Sequence, residues 1–207
     1  MSYNTTIINE LAVSIADLER RINELDRIES ANNYCYISSK EFVVAETSNT
    51  IDFIDIPDYF DDLIIILDGH TNDTTTTGIA VRMKFNDSTG AKYCYNFHGI
   101  STSSINTGTA VFGATYAQCL SIAAKDAINN TICPSKIHIY DYTSTLSNKN
   151  FMSRSYRHNS STSIGYYDYV GSWYPTTPVA INKITLQCGA SYYFDYPTKV
   201  TLYGVKL

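Results

Sequence analysis

The chain has 207 residues, with 15 Lys and Arg against 20 Asp and Glu for a formal charge of −5. Only 17% of residues are charged while 44% are hydrophobic, so a core can form and wholesale disorder is excluded. The acidic balance speaks against a nucleic-acid footprint, and no apolar run approaches the roughly 18 residues of a membrane-spanning helix.

From the N-terminus, Met1-Ser2-Tyr3-Asn4 lacks the basic and apolar stretches of a signal peptide, so no export is expected. Charge then concentrates between Glu10 and Glu29 and thins out afterwards, which places a boundary near residue 32. Ile8, Leu11, Ile15, Leu18, Ile22 and Leu25 recur at spacings of three and four, with Ile at every a and Leu at every d position. No Gly or Pro interrupts residues 6–29, and Thr6 offers an N-cap. Asp17 with Arg21, and Arg20 with Glu24, form i,i+4 pairs on the outer surface. The spacing predicts a short coiled-coil helix, residues 1–32, for oligomerisation or attachment; the other reading is an amphipathic helix packed on a domain. Ile at a with Leu at d leans towards a dimer.

Beyond residue 33 the period changes to two. Ile79, Val81, Met83 and Phe85 alternate with polar or small residues, the turn formers Asn86-Asp87-Ser88-Thr89-Gly90 follow, and Tyr93, Tyr95 and Phe97 alternate again. This pattern predicts a hairpin. Further strands are expected at 41–46, 51–56, 63–67, 109–112, 137–139, 151–157, 181–187, 191–194 and 199–202, with polar turns between nearly all of them. The Ala-rich stretch 114–128 leaves strand and short helix both open. Many short strands without intervening helices mean a mainly β domain, 33–207, built as an antiparallel sandwich or barrel.

Several stretches together carry a resemblance. They are Phe53-Ile54-Asp55-Ile56-Pro57-Asp58-Tyr59-Phe60-Asp61-Asp62-Leu63, Phe85-Asn86-Asp87-Ser88-Thr89-Gly90, and Ile137-His138-Ile139-Tyr140-Asp141-Tyr142 with Lys149 shortly after. Trp173 and Thr176-Thr177 precede Ile181-Asn182-Lys183-Ile184-Thr185-Leu186, and the chain closes on Val200-Thr201-Leu202-Tyr203-Gly204-Val205-Lys206. Over residues 40–207 this series resembles tailed-bacteriophage virion structural proteins with jelly-roll-like β-sandwich domains. Members usually carry Gly-Ser before the closing strand, where this chain has Tyr196-Pro197-Thr198. The resemblance implies a head decoration or a head or tail fibre subunit, located in the virion and made in the host cytoplasm. It also implies association with other virion proteins and with its own copies, as a homotrimer rather than the dimer that the heptads favour.

No residue pattern points to catalysis. His70 and His158 lie in polar or turn-forming segments, and His138 alternates with Ile137 and Ile139 on the polar face of a strand. None of the four His sits in a nucleophile motif. Asp52, Asp55, Asp58, Asp61 and Asp62 could supply a glycosidase pair, but they read better as turn formers around Pro57. Asp68 to Asp73 lacks the EF-hand spacing, and five widely spaced Cys without a Cys-x-x-Cys pair read as reduced, buried thiols. Neither a metal nor another cofactor is expected. Among the 18 Tyr, the cluster Tyr166, Tyr167, Tyr169, Trp173 and Tyr174 is the candidate ligand-binding set, suited to a host-surface glycan or a protein partner. The competing reading makes it a strand with one aromatic face in the core.

Overall fold

The computed structural model describes residues 33–43, 48–73, 78–101, 104–108, 110–124, 133–160, 163–189 and 191–207. The heptad positions Ile8, Leu11, Ile15, Leu18, Ile22 and Leu25 lie outside them. The described part is mainly β, as the alternation implies, and no helix occurs among the described residues.

In chain order the strands are β1 (Tyr34–Phe42), β2 (Thr50–Phe53), β3 (Asp62–Thr71), β4 (Ile79–Phe85) and β5 (Tyr93–Ser101). Then come β6 (Ser104–Thr107), β7 (Val111–Ala114), β8 (Ala117–Ala124) and β9 (Cys133–Tyr140). The last four are β10 (Lys149–Ser160), β11 (Ser163–Trp173), β12 (Ile184–Cys188) and β13 (Phe194–Val205). One ladder runs β2-β12-β4-β8. The other runs β1-β13-β3-β9-β10-β11-β5, with β6 and β7 both paired to β5. A two-residue parallel bridge between β3 and β8, at His70–Ala123 and Thr71–Ala124, joins them.

The hairpin expected over residues 79–97 does not form. β4 lies between β12 and β8, in register Ile184↔Phe85 and Ile79↔Ile122, whereas β5 pairs with β11. The intervening turn formers are engaged elsewhere. Asn86 and Asp87 adopt φ of 49° and 52°. The Asn86 amide donates to Ala180 O at 2.7 Å, and its Oδ1 accepts from the backbone N–H groups of Asn182 and Lys183. The turn therefore anchors the entry to β12, and β4 and β5 each pair with strands distant in sequence. One open reading is resolved and two expectations change. Residues 117–124 are a strand buried along nearly its whole length, because neighbours cover both of its faces. His70 is not in a turn but inside β3, fully buried. The stretch after Asp68 continues as strand to Thr71.

β8 also crosses the inner face of the second ladder, and small side chains let it approach. Ser153 and Ser155 point inward from β10, both buried. The Ser153 hydroxyl donates to Cys119 O, and Ser155 Oγ accepts from the Ser121 N–H at 3.2 Å. These hydroxyls satisfy backbone groups of β8 that no strand pairs at that edge. Beside them Tyr167, Tyr169 and Trp173 fill the interior. Trp173 stacks on Tyr93 at 6.4 Å and meets Phe85 at 5.6 Å; Phe97 meets Tyr169 at 5.6 Å. Gly171 is required here, since a Cβ would lie 2.5 Å from the Phe151 ring and 2.7 Å from Cys94 O.

Candidate functional site

The aromatic cluster divides between two faces of β11. Tyr167, Tyr169 and Trp173 are only 5%, 2% and 2% exposed, so they are core residues and not a ligand platform. The period-2 geometry of a strand covered on one side forces this. The Tyr169 hydroxyl accepts from Gln118 Nε2 at 3.3 Å, and burial pushes its pKa up to about 12. Tyr174, half-buried, accepts from the Gly113 N–H at 3.0 Å. Tyr166 turns to the opposite, outer face beside Asp168.

That outer face gathers large apolar, aromatic and charged side chains from several strands. Cross-strand register lays its side chains out in three rows. The first row is Ile64, His138, Met152, Val170 and Asn96 across β3, β9, β10, β11 and β5. The second is Ile66, Lys136, Arg154, Asp168 and His98. The third holds Tyr156, Tyr166, Ile100 and Ile105, the last on β6. Ile66, Ile100, Ile105, Met152, Tyr156 and Val170 are all exposed. On β10 the usual arrangement is thus reversed, with Ser inside and Met, Arg and Tyr outside.

The polar groups on this face are held in place. Arg154 Nε donates to Asp168 Oδ1 at 2.9 Å, and the Tyr166 hydroxyl donates to Asp168 Oδ2 at 2.5 Å. The Arg154 guanidinium lies 5.2 Å from the Tyr166 ring centroid, and Tyr156 packs against Tyr166 at 5.1 Å. The hydrogen bond to Asp168 raises the Arg154 pKa, and desolvation followed by the same carboxylate raises that of Tyr166. His138 Nε2 meets Asp62 Oδ2 at 2.7 Å, while Asp62 Oδ1 accepts from the Asp141 N–H. Between β3, β9 and β10 the face dips into a groove of about 340 Å³, with Ile66, Pro134, Met152 and Tyr156 as its apolar walls and Lys136, Arg154 and Asp168 at its polar margin. Apolar floor plus a few fixed polar groups is the usual composition of a recognition surface.

The other sequence candidates disperse. Asp52 accepts from Thr185 Oγ1 on β12, Asp61 from the Leu207 N–H, and Asp62 is taken by His138 and the Asp141 N–H. Asp55 and Asp58 are exposed. Each carboxylate therefore serves its own neighbourhood. Cys119 and Cys188 are free and buried, and burial pushes both thiols far up; Cys35 and Cys94 are free and half-buried. Among the described residues no group of three His, Cys, Asp or Glu is placed to hold a metal ion. Lys149 is buried instead against the carbonyls of Ser144 and Ser147, which lowers its pKa by desolvation and closes the 141–148 loop around it.

Sequence reading missed the outer face because its members come from six strands. One signal was available: in Met152-Ser153-Arg154-Ser155-Tyr156, small hydroxyl residues alternate with large ones, a pattern that fits a strand buried under a close neighbour. Comparison with protein-family models, curated proteins and solved structures finds no match for this chain.

Proposed function

We infer that the chain is a non-enzymatic structural subunit of a tailed-bacteriophage virion, either a head decoration or a head or tail fibre component. In this reading residues 6–29 associate with their own copies or dock on another virion protein. The domain over 33–207 is a jelly-roll-like β-sandwich that displays its outer sheet face. The sequence signatures of residues 40–207 support the virion assignment, and the crossing of β8 over β10 and β11 supports the layered architecture. The observation that carries the reading is the outer face itself. It exposes six large apolar or aromatic side chains together with Asn96, His98 and Lys136, around a fixed ion pair at the centre. Such a surface suits contact with another macromolecule better than turnover of a small substrate.

The test is to purify particles of the phage that encodes the chain and analyse them by mass spectrometry and cryo-electron microscopy. A stoichiometric copy number and density on the head or tail surface are expected. Absence from purified particles contradicts the reading.

A further inference from the structure

We propose that the outer face of β9, β10, β11 and β5 pairs with the same face of a second copy of this chain, around a two-fold axis that runs parallel to the strands between β10 and β11. The inference deepens the structural-subunit reading and rests on it only for the expectation of self-contact; the face and its chemistry are independent of the heptad helix.

The argument is self-complementarity. An axis in that position lays each β10 side chain over the cross-strand neighbour that it has on β11, now from the second copy. The register pairs are Met152↔Val170, Arg154↔Asp168 and Tyr156↔Tyr166. Apolar therefore meets apolar, aromatic meets aromatic, and each Arg154 faces the second copy's Asp168. Within one chain Arg154 donates Nε to Asp168, and a guanidinium carries further N–H donors for the second copy's carboxylate. Other axes parallel to the strands match less well: a shift by half a strand spacing sets Arg154 over Arg154 or Asp168 over Asp168, and a full spacing towards β9 sets Arg154 over Lys136.

The groove adds shape to charge. It lies on the β3–β9–β10 side, whereas Ile100 and Ile105 stand exposed on the β5–β6 side, 47% and 70% accessible. The two-fold carries the second copy's Ile100 across to the level of Pro134 and Tyr156, where Ile66 and Met152 complete an apolar slot. In extent, the four strands with the flanking β3 and β6, at about 4.8 Å each, and three rows at about 6.6 Å each cover roughly 29 by 20 Å, or on the order of 1,000 Å² for two copies. That reaches the lower limit for a specific interface. Two sheets meeting with their strands nearly aligned is also the common face-to-face geometry.

The experiment uses the full chain carrying Ile15→Asp and Leu18→Asp, which removes heptad association, and reads mass by sedimentation equilibrium. Dimers are expected. Adding Arg154→Asp, or separately Asp168→Arg, should weaken the dimer by about a hundredfold and leave monomers. An equimolar mixture of these two variants should recover the dimer, because each then faces an opposite charge on the other chain. Ile100→Lys provides a second break that does not touch the ion pair, and circular dichroism checks that every variant keeps its β signal. A monomer in the helix-disrupted chain with the face intact overturns the proposal, as does a mixture that stays monomeric while each variant is folded. If the helix substitutions leave the mass of the natural chain unchanged, the heptad role fails, and the charge-swap result still decides the face.

Discussion

Tyr166 and Tyr167 are neighbours in β11, yet they live in different solvents. Tyr167 is 5% exposed and its hydroxyl accepts from Arg157 Nη2, whose guanidinium lies 4.4 Å from the ring centroid. Tyr166 faces outward, with its hydroxyl on Asp168 and its ring against Tyr156. The same contrast extends along β10, where inward Ser153 and Ser155 oppose outward Arg154 and Tyr156. Residue type therefore does not announce location in these two strands. Strand parity does, together with the close approach of β8, which leaves room inside only for hydroxyls and for rings fitted around glycine.

The sharpest way to break this contrast is to truncate an aromatic on each side. Trp173→Ala removes a ring packed between Phe85 and Tyr93 and should cost about 3–5 kcal/mol in denaturant unfolding. Tyr166→Ala, on the same strand, should cost less than about 1 kcal/mol, because its ion-pair neighbours stay solvated. Equal losses would mean that the two faces are not distinct.

A smaller effect reports on the buried tyrosines through pH. Tyr93 and Tyr169 are both pushed up to about 12 by burial. Above pH 10 the unfolded tyrosines lose protons while these two retain theirs, so the unfolded state is favoured as pH rises towards 12. Between pH 9 and 11 each should remove on the order of 1 kcal/mol of stability. Tyr169→Phe should flatten that slope.

Much of the β class was legible in the sequence, because period-2 alternation at Ile79–Phe85, around Ile137 and near Val200 reports a half-covered strand directly. Pairing was less legible. The turn formers from Asn86 to Gly90 promise a hairpin, but Asn86 ties itself to 180–183 and long-range partners take both strands. β8 looked ambiguous because a strand covered on both sides loses its alternation and reads as an Ala-rich run. For the candidate site, composition drew attention to β11, whose cluster residues Tyr167, Tyr169 and Trp173 are buried. Tyr167, Tyr169 and Trp173 drew attention as a cluster, although the exposed chemistry comes from Met152, Arg154, Tyr156, Tyr166 and Asp168, which only register brings together.

The most direct test of the two-faced account is hydroxyl-radical footprinting of the intact chain, read residue by residue across low to high micromolar protein concentration. Met152, Tyr156 and Tyr166 should become protected as concentration rises, Tyr169 should stay unreactive throughout, and exposed Tyr59 should react at every concentration. Labelling of Met152, Tyr156 and Tyr166 that is independent of concentration and as strong as that of Tyr59 would contradict a contact role for the outer face.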